Sequence, residues 1–229
     1  MVTKKLIFTT VAALAASVCA LAQNKESRDL ADGFSTIEVT KGANVSLIQC
    51  DKTALEVVTD GCPTADVETM VNNGTLTVKM KKRTPGSAVQ VMVYFKDLNH
   101  IKVKRGASIQ TDCLFAHKGK LTLEVGAQSE VQLDLDVDEL DVDANTCVIN
   151  LEGNAKKQKV LIAGTVGQST YNAEDLESED VDIKAIDTDA VVSFSNSLKA
   201  EAVSCTIRYV GDSAKVSKST KGNGKVVEF

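Results

Sequence analysis

The chain contains no Trp, two Pro and two His among its 229 residues, and aromatic residues make up 4%. A sugar-cleaving cleft normally offers flat aromatic faces, so the dearth of rings argues against a polysaccharide-degrading enzyme. The 14 glycines are too few for collagen, and six cysteines are too dilute for a disulfide-built scaffold. No C-x-x-C pair, zinc-type Cys/His spacing, G-x-S-x-G, P-loop or H-E-x-x-H motif occurs. Nor is there a heptad run for a coiled-coil stalk. The balance of 26 basic and 31 acidic residues gives a net charge of −5. That balance opposes electrostatic capture of nucleic acid.

One apolar run stands at the N-terminus. Lys4 and Lys5 precede the apolar stretch Leu6 to Leu21, and Ala20-Leu21-Ala22 forms an A-x-A site. Residues 1–22 therefore read as a secretory signal peptide cleaved between Ala22 and Gln23. Cleavage takes Lys4 and Lys5 and no acidic residue, so the −5 of the full chain becomes −7. No later run is long and apolar enough to cross a bilayer as a helix. Export to the periplasm, the outer-membrane surface or the medium is the expectation. Five cysteines remain, an odd number in a disulfide-permissive setting. Cys50 and Cys62 flank a strand–turn–strand stretch and are the pair expected to bridge. Cys113, Cys147 and Cys205 read as small buried hydrophobes.

Residues 23–33 are polar and read as a flexible leader. From Phe34 onward, apolar and polar residues alternate, as in Ile37-Glu38-Val39 and Leu76-Thr77-Val78. Period two marks half-buried strands. Only Ala65 to Val71 offers a short helical turn. A second, longer period overlies the first. Runs beginning at Ile101, Leu121, Leu140, Val160 and Val181 follow one another at 20, 19, 20 and 21 residues. Small or turn-prone residues recur near each run's end, at Gly42, Gly106, Gly126 and Gly164 among others. A fixed period near 20 marks a solenoid, whose coils bury their apolar faces only by stacking. Glycine is expected at these corners because the backbone turns tightly with positive φ. The predicted fold is thus all-β, a right-handed parallel β-helix or β-solenoid of about 20 residues per coil. One domain covers 34–229, regular over 101–229 and less regular over 34–100. That first half holds turn signals at Asn72-Asn73-Gly74 and Pro85-Gly86.

The start Phe34-Ser-Thr-Ile-Glu-Val, the segment Gly42-Ala-Asn-Val, the phrase Ile101-Lys-Val-Lys-Arg-Gly-Ala-Ser and the closing Gly222-Asn-Gly-Lys-Val carry a family likeness. With the signal segment, they resemble the head GIN domain family of auto-transporter adhesins, common in exported Bacteroidetes proteins. The resemblance implies a β-helix related in shape to pectin lyases, a role in adhesion and no catalytic residues. This chain lacks the family's Gly-Ser-Gly turns and uses Gly-Ala or Asn instead.

The densest charged feature is Leu133 to Asp143, where Asp134, Asp136, Asp141 and Asp143 share alternate positions. Such a run reads first as a solvated acidic face. Its alternative is a Ca²⁺ site, since that ion takes several carboxylate oxygens. No cofactor is expected, and no catalytic residue stands out. His100 and His117 read as exposed turn residues. The basic run Lys79 to Arg83 reads as a solvated strand end. Tyr94, Phe95, Phe115, Tyr171 and Phe194 are expected in the core. The function expected is non-catalytic binding at the cell envelope or surface, with a surface polymer or protein as partner. The alternatives are a degenerate carbohydrate-active enzyme and a self-assembling homo-oligomer.

Overall fold

The structure, a computed structural model, describes residues 23–30, 33–165 and 169–229. The expected signal segment and its Ala22 lie outside these residues. The first strands are β1 (Asn24–Asp29), β2 (Thr36–Thr40), β3 (Asn44–Gln49), β4 (Ala54–Asp60), β5 (Val67–Asn72), β6 (Thr75–Met80) and β7 (Ala88–Phe95). There follow β8 (His100–Lys104), β9 (Ser108–Thr111), β10 (Phe115–Gly126), β11 (Glu130–Asn145), β12 (Val148–Ala163) and β13 (Thr170–Ala173). The last are β14 (Leu176–Ile186), β15 (Asp189–Ser193), β16 (Ser197–Val203), β17 (Thr206–Val210), β18 (Val216–Lys221) and β19 (Lys225–Glu228).

These strands wind into a β-solenoid of about seven turns, with about 19 residues per coil. One side stacks β6, β2, β8, the later halves of β10, β11, β12 and β14, then β16 and β18, all parallel. A second side stacks β7, β3, β9, the starts of β11 and β12, then β13, β15, β17 and β19. A short third side joins them through Phe115–His117, Leu135–Val137, Gly153–Ala155 and Leu176–Ser178.

Parallel pairing at about 4.8 Å puts like positions in columns. One inward column reads Leu76, Ile37, Ile101, Leu123, Val142, Val160, Ile183 and Ala200, all buried. Another reads Val91, Val45, Ile109, Val131, Ile149, Tyr171, Ala190, Ile207 and Val226. Ile101 therefore stacks on Leu123, not on Leu121. The sequence frame is thus off by two residues at this step; a separate one-residue bulge lies between His117 and Lys120, where β10 pairs with β11. A slip of two leaves the inward face unchanged, so the alternation alone does not reveal it.

The corner after the first side needs small residues. Ala43, Ala107, Ser129, Cys147, Ser169, Thr188 and Cys205 are buried there and follow one another from coil to coil. Cys147 and Cys205 thus act as small core residues, whereas Cys113 is exposed. Gly42 and Gly106 take positive φ at this corner, as expected. Gly126 does not: it ends β10, and Ala127 and Gln128 adopt the left-handed conformation instead, with φ of 54° and 61°. Gly164 also lacks positive φ. It is small because a Cβ there would overlap Ser169 Oγ and Thr188 Oγ1.

The N-terminal half departs from the regular pattern by turning antiparallel. β4 lies on β7, β1 lies on β4, and β5 lies on β6. Residues 24–29, expected in a flexible leader, are thus an ordered strand of the solenoid's end. Ala65 to Val71 contributes a single 3-10 turn, Thr64–Asp66, and then enters β5. Asn73 and Gly74 make the β5–β6 turn with φ of 48° and 72°. The Cys50–Cys62 bridge is not formed, and both thiols are free. The whole length of β4 separates them. Cys50 abuts Phe95 at one end of β7, and Cys62 lies beyond Asp60, which pairs with Ala88 at the other. Seven residues of strand span about 23 Å, far beyond a disulfide's Cα separation of about 6 Å.

Both ends are closed by cations. Arg28 of β1 reaches across to the other side and donates to Val67 O (2.8 Å), Thr69 Oγ1 (3.0 Å) and Thr64 O (3.0 Å). Glu26 holds the same guanidinium bidentately, at 2.9 and 3.0 Å. At the opposite end, Lys218 occupies the inward position of the Ala200 column. Its ammonium lies 4.8 Å from the Tyr209 ring centroid and donates to Tyr209 Oη (3.0 Å) and Val226 O (3.2 Å). An inward charge on the last coil blunts an open edge.

One polar chain crosses the core. Tyr171 Oη donates to Gln158 Oε1 (2.9 Å), and Gln158 Nε2 donates to Ser178 Oγ (2.5 Å), joining all three sides. Gln158 stands in a column between Leu140 and Val181. Gln158→Ala leaves the buried Tyr171 hydroxyl unpartnered and is expected to cost about 2–4 kcal/mol. Thermal denaturation checks this, with a Tm drop of roughly 4–15 °C expected. Adding Tyr171→Phe should return part of the loss.

Candidate functional site

The third corner, between the short side and the first side, carries charge in rows. Its column reads Lys120, Glu139, Lys157, Asp180 and Ser197. Beside it run Lys118, Asp138, Lys156 and Glu179. Each coil thus presents two charges of one sign, and the next coil presents two of the other. Lys156 Nζ lies 2.6 Å from Asp138, Lys157 3.9 Å from Glu139, and Lys120 2.6 Å from Asp141. Asp180 accepts hydrogen bonds from Asn196 (2.7 Å) and Ser197 (2.6 Å).

A groove runs along each flank of this ladder. The larger, of about 660 Å³, is lined by Asp136, Asn154, Glu177, Ser178, Ser195 and their neighbours. The other, of about 430 Å³, is lined by Asp141, Lys159, Asp182, Lys199 and the ladder itself. Both are open troughs along the solenoid axis, not enclosed clefts. Hydroxyl, amide and paired charged groups line them. Such surfaces suit a long hydroxylated or charged partner.

The four aspartates considered for Ca²⁺ do not converge. Asp134 and Asp136 precede the Asp138–Glu139 corner, and Asp141 and Asp143 follow it, so the pairs face different sides. Asp141 is held by Lys120, and Asp143 is exposed beside Leu161. Among the described residues no group of three His, Cys, Asp or Glu side chains is placed to hold a metal ion.

The histidines are strand residues, half-buried and paired, not exposed turn residues. His100 Nε2 lies 2.8 Å from Glu124, which also receives Lys102 (3.2 Å) and Lys104 (3.5 Å). His117 Nδ1 lies 2.7 Å from Asp97. Phe95 and Phe115 meet edge-on at 5.2 Å, and Phe194 packs on Tyr209 at 5.9 Å. These four rings, with Tyr171, are buried, whereas Tyr94, expected in the core, takes an outward position of β7 between Val93 and Phe95 and is half-buried.

The ionisation pattern follows from pairing and burial. Hydrogen bonds from Lys156 lower the Asp138 carboxyl, those from Ser197 and Asn196 lower Asp180, and those from Lys221 and Lys184 lower Glu201. A general acid needs the opposite shift. Burial pushes the Cys147 thiol up to about 12 and raises Cys205 as well, so neither is an activated nucleophile.

Residues 33–213 match the family described as "Putative auto-transporter adhesin, head GIN domain". The chain belongs to this family. Solved structures share the head GIN fold at low identity. A putative adhesin from Bacteroides fragilis NCTC 9343 is 19% identical, with a TM-score of 0.80 over 91% of this chain and 97% of its own. A putative adhesin from Parabacteroides merdae ATCC 43184 is 20% identical, with a TM-score of 0.74 over 90% and 96%. A protein described as a putative lipid binding protein, from Parabacteroides distasonis ATCC 8503, is 16% identical, with a TM-score of 0.66 over 90% and 96%. No curated protein matches the chain.

The lowered carboxylates set a pH dependence. Glu26, bonded by Arg28 and Thr64, falls to about 2 from an ordinary value of 4.5. A carboxyl with a depressed folded-state pKa stabilises fully above its unfolded value, about 4.3, and the gain is lost as pH falls through the folded value. Tm is therefore expected to fall between about pH 5 and pH 2. Glu26→Gln should flatten the lower end of that profile; an unchanged profile would refute the assignment to the Arg28 strap.

Proposed function

We propose that this head GIN domain protein is an exported, non-catalytic binding protein of the cell envelope or surface, adhesin-like in role. The observation that carries this reading is the ladder of compensated charge with an open trough on each flank. It offers a long face for a partner, and both troughs are open to solvent along their length. The signal segment supports export, and the description of the family supports adhesion. Fold alone does not fix function, so the likeness to pectin lyases carries no activity with it. The carboxylates with displaced ionisation all move away from general-acid values. End-to-end self-assembly is disfavoured because Arg28 and Lys218 cover the ends of the stack.

Protease shaving of intact cells, with immunoblots of this protein and of a periplasmic control, tests the surface location. Loss of this protein while the control survives is expected. Full protection would move the binding role inside the envelope. Turnover of any member of a broad polysaccharide panel with Ca²⁺ would overturn the non-catalytic reading. For self-assembly, the native chain is expected to keep one mass by light scattering across concentrations. Lys218→Leu with Glu228→Leu, which removes both charges from the last coil's inward face, should produce concentration-dependent association.

A further inference from the structure

A corner of the N-terminal coils gathers cations that the sequence keeps apart. β2 runs into Lys41-Gly42, with φ of 57° and 74°, and β8 runs into Arg105-Gly106, with φ of 59° and 68°. The two turns stack, because Thr40 pairs with Lys104. On its other edge Thr40 pairs with Lys79 of β6, whose chain continues through Lys81 and Lys82 to Arg83. Arg83 folds back over the first turn: a Cβ on Gly42 would lie 3.3 Å from its Cζ and Nε. The basic run of residues 79–83 is therefore more than a solvated strand end. It completes a patch with two other segments.

Of the carboxylates near this corner, Glu68 takes Lys79 at 2.8 Å, and Glu124 is shared by His100, Lys102 and Lys104. Glu38 lies in register with Lys102 on the β2 strand, and Asp143 lines a groove with Arg105 on the far side of its turn. Among the described residues, Lys41, Lys81, Lys82, Arg83 and Arg105 form no ion pair. Elsewhere the solenoid sets lysines against acids of the neighbouring coil, as at Lys120, Lys156 and Lys199. Here five cations on three adjoining segments repel one another, and an anion relieves that repulsion. Beside Arg83 opens a groove of about 490 Å³ lined by Asn44, Thr84, Ser87 and Ser108, with Gly42 and Gly106 at its edge.

We propose that this corner binds an acidic polysaccharide. Arg83, Lys41 and Arg105 pair with its carboxylate or sulfate groups, and the amide and hydroxyl groups of the groove hydrogen-bond its sugar hydroxyls. Arg supplies the forked donor geometry that such anions fit. Lys41 and Arg105 stand on stacked turns one strand spacing apart, about 5 Å, so charges along an extended chain are met by successive coils. A membrane surface fits less well, because no apolar face accompanies the cations. Single-stranded nucleic acid fits less well, because no aromatic ring lines the groove for base stacking.

The proposal deepens the binding role argued above and rests on it. Its test uses purified residues 23–229, so it does not depend on where the cell keeps the protein. Calorimetric titration would use heparin and polygalacturonate, with neutral dextran, phosphatidylglycerol vesicles and single-stranded DNA as comparators. Binding to at least one acidic polysaccharide, absent for dextran and weakening as salt rises, is expected. Lys81→Glu with Arg83→Glu should weaken it on the order of tenfold or more. Lys52→Glu with Lys225→Glu makes the same charge change away from the corner and should leave affinity within about twofold. Circular dichroism and Tm check folding. If the first pair does not fold, Lys41→Gln with Arg105→Gln takes its place. Undiminished binding by the corner variants, equal binding of dextran, or no binding of either acidic polymer would overturn the proposal. Tighter binding of vesicles or DNA would overturn the choice of partner.

Discussion

Backbone hydrogen bonding between coils, at a spacing near 4.8 Å, is the constraint from which the rest follows. It puts each residue directly between its counterparts in the coils above and below. A column must therefore be uniform where it is buried and compensated where it is charged. Ile37, Ile101, Leu123, Val142, Val160 and Ile183 meet the first demand. Lys120, Glu139, Lys157 and Asp180 meet the second. A like-charged column would stack repulsions at every coil, and alternation of sign turns the same geometry into a ladder of ion pairs. Each exposed pair is weak. Their shared register biases the coils toward one alignment, because a coil slipped by one residue would lose the ion pairs and expose its apolar set.

The same constraint makes the ends a problem. A coil with no neighbour leaves its inward residues and its strand edges open. Here the answer differs at the two ends. The N-terminal end turns antiparallel, folds β4, β1 and β5 over the stack, and ties the two sides together through Arg28. The C-terminal end stays parallel and instead places Lys218, Thr220 and Glu228 at inward positions. Both devices use polar groups where the interior of the column is apolar.

This explains what could be read from the residues in order. Alternation and a period near 20 depend on local sequence, so the all-β solenoid and its apolar columns were legible. The frame was misjudged by two residues where β10 stacks on β8, because a slip of two keeps Leu121 and Leu123 on the same face. β1 escaped notice because its residues, Asn24 to Asp29, are all polar, and an edge strand at a capped end has little apolar face to show. The Cys50–Cys62 pairing failed because closeness in sequence is the wrong measure across a whole strand. The Asp134 to Asp143 run was read as one acidic face, but the corner at Asp138–Glu139 divides it between two sides.

The basic corner shows why a surface is harder to read than a fold in a solenoid. Lys41, Arg83 and Arg105 span 64 positions in the sequence, yet two of them occupy stacked turns and the third folds over one of them. No window of sequence contains the patch, and the net charge of −5 hides it. Columns reveal it, since the corner is where outward charge ceases to alternate. In the ladder, each lysine has an acid one coil away, and the field a short distance out is close to neutral. At the corner Glu68 and Glu124 are each shared among several cations, and among the described residues Lys41, Lys81, Lys82, Arg83 and Arg105 have no ion pair. Compensated rows align the stack and leave the troughs beside them close to neutral, whereas the corner adds nothing to coil alignment and keeps its charge free for an anion.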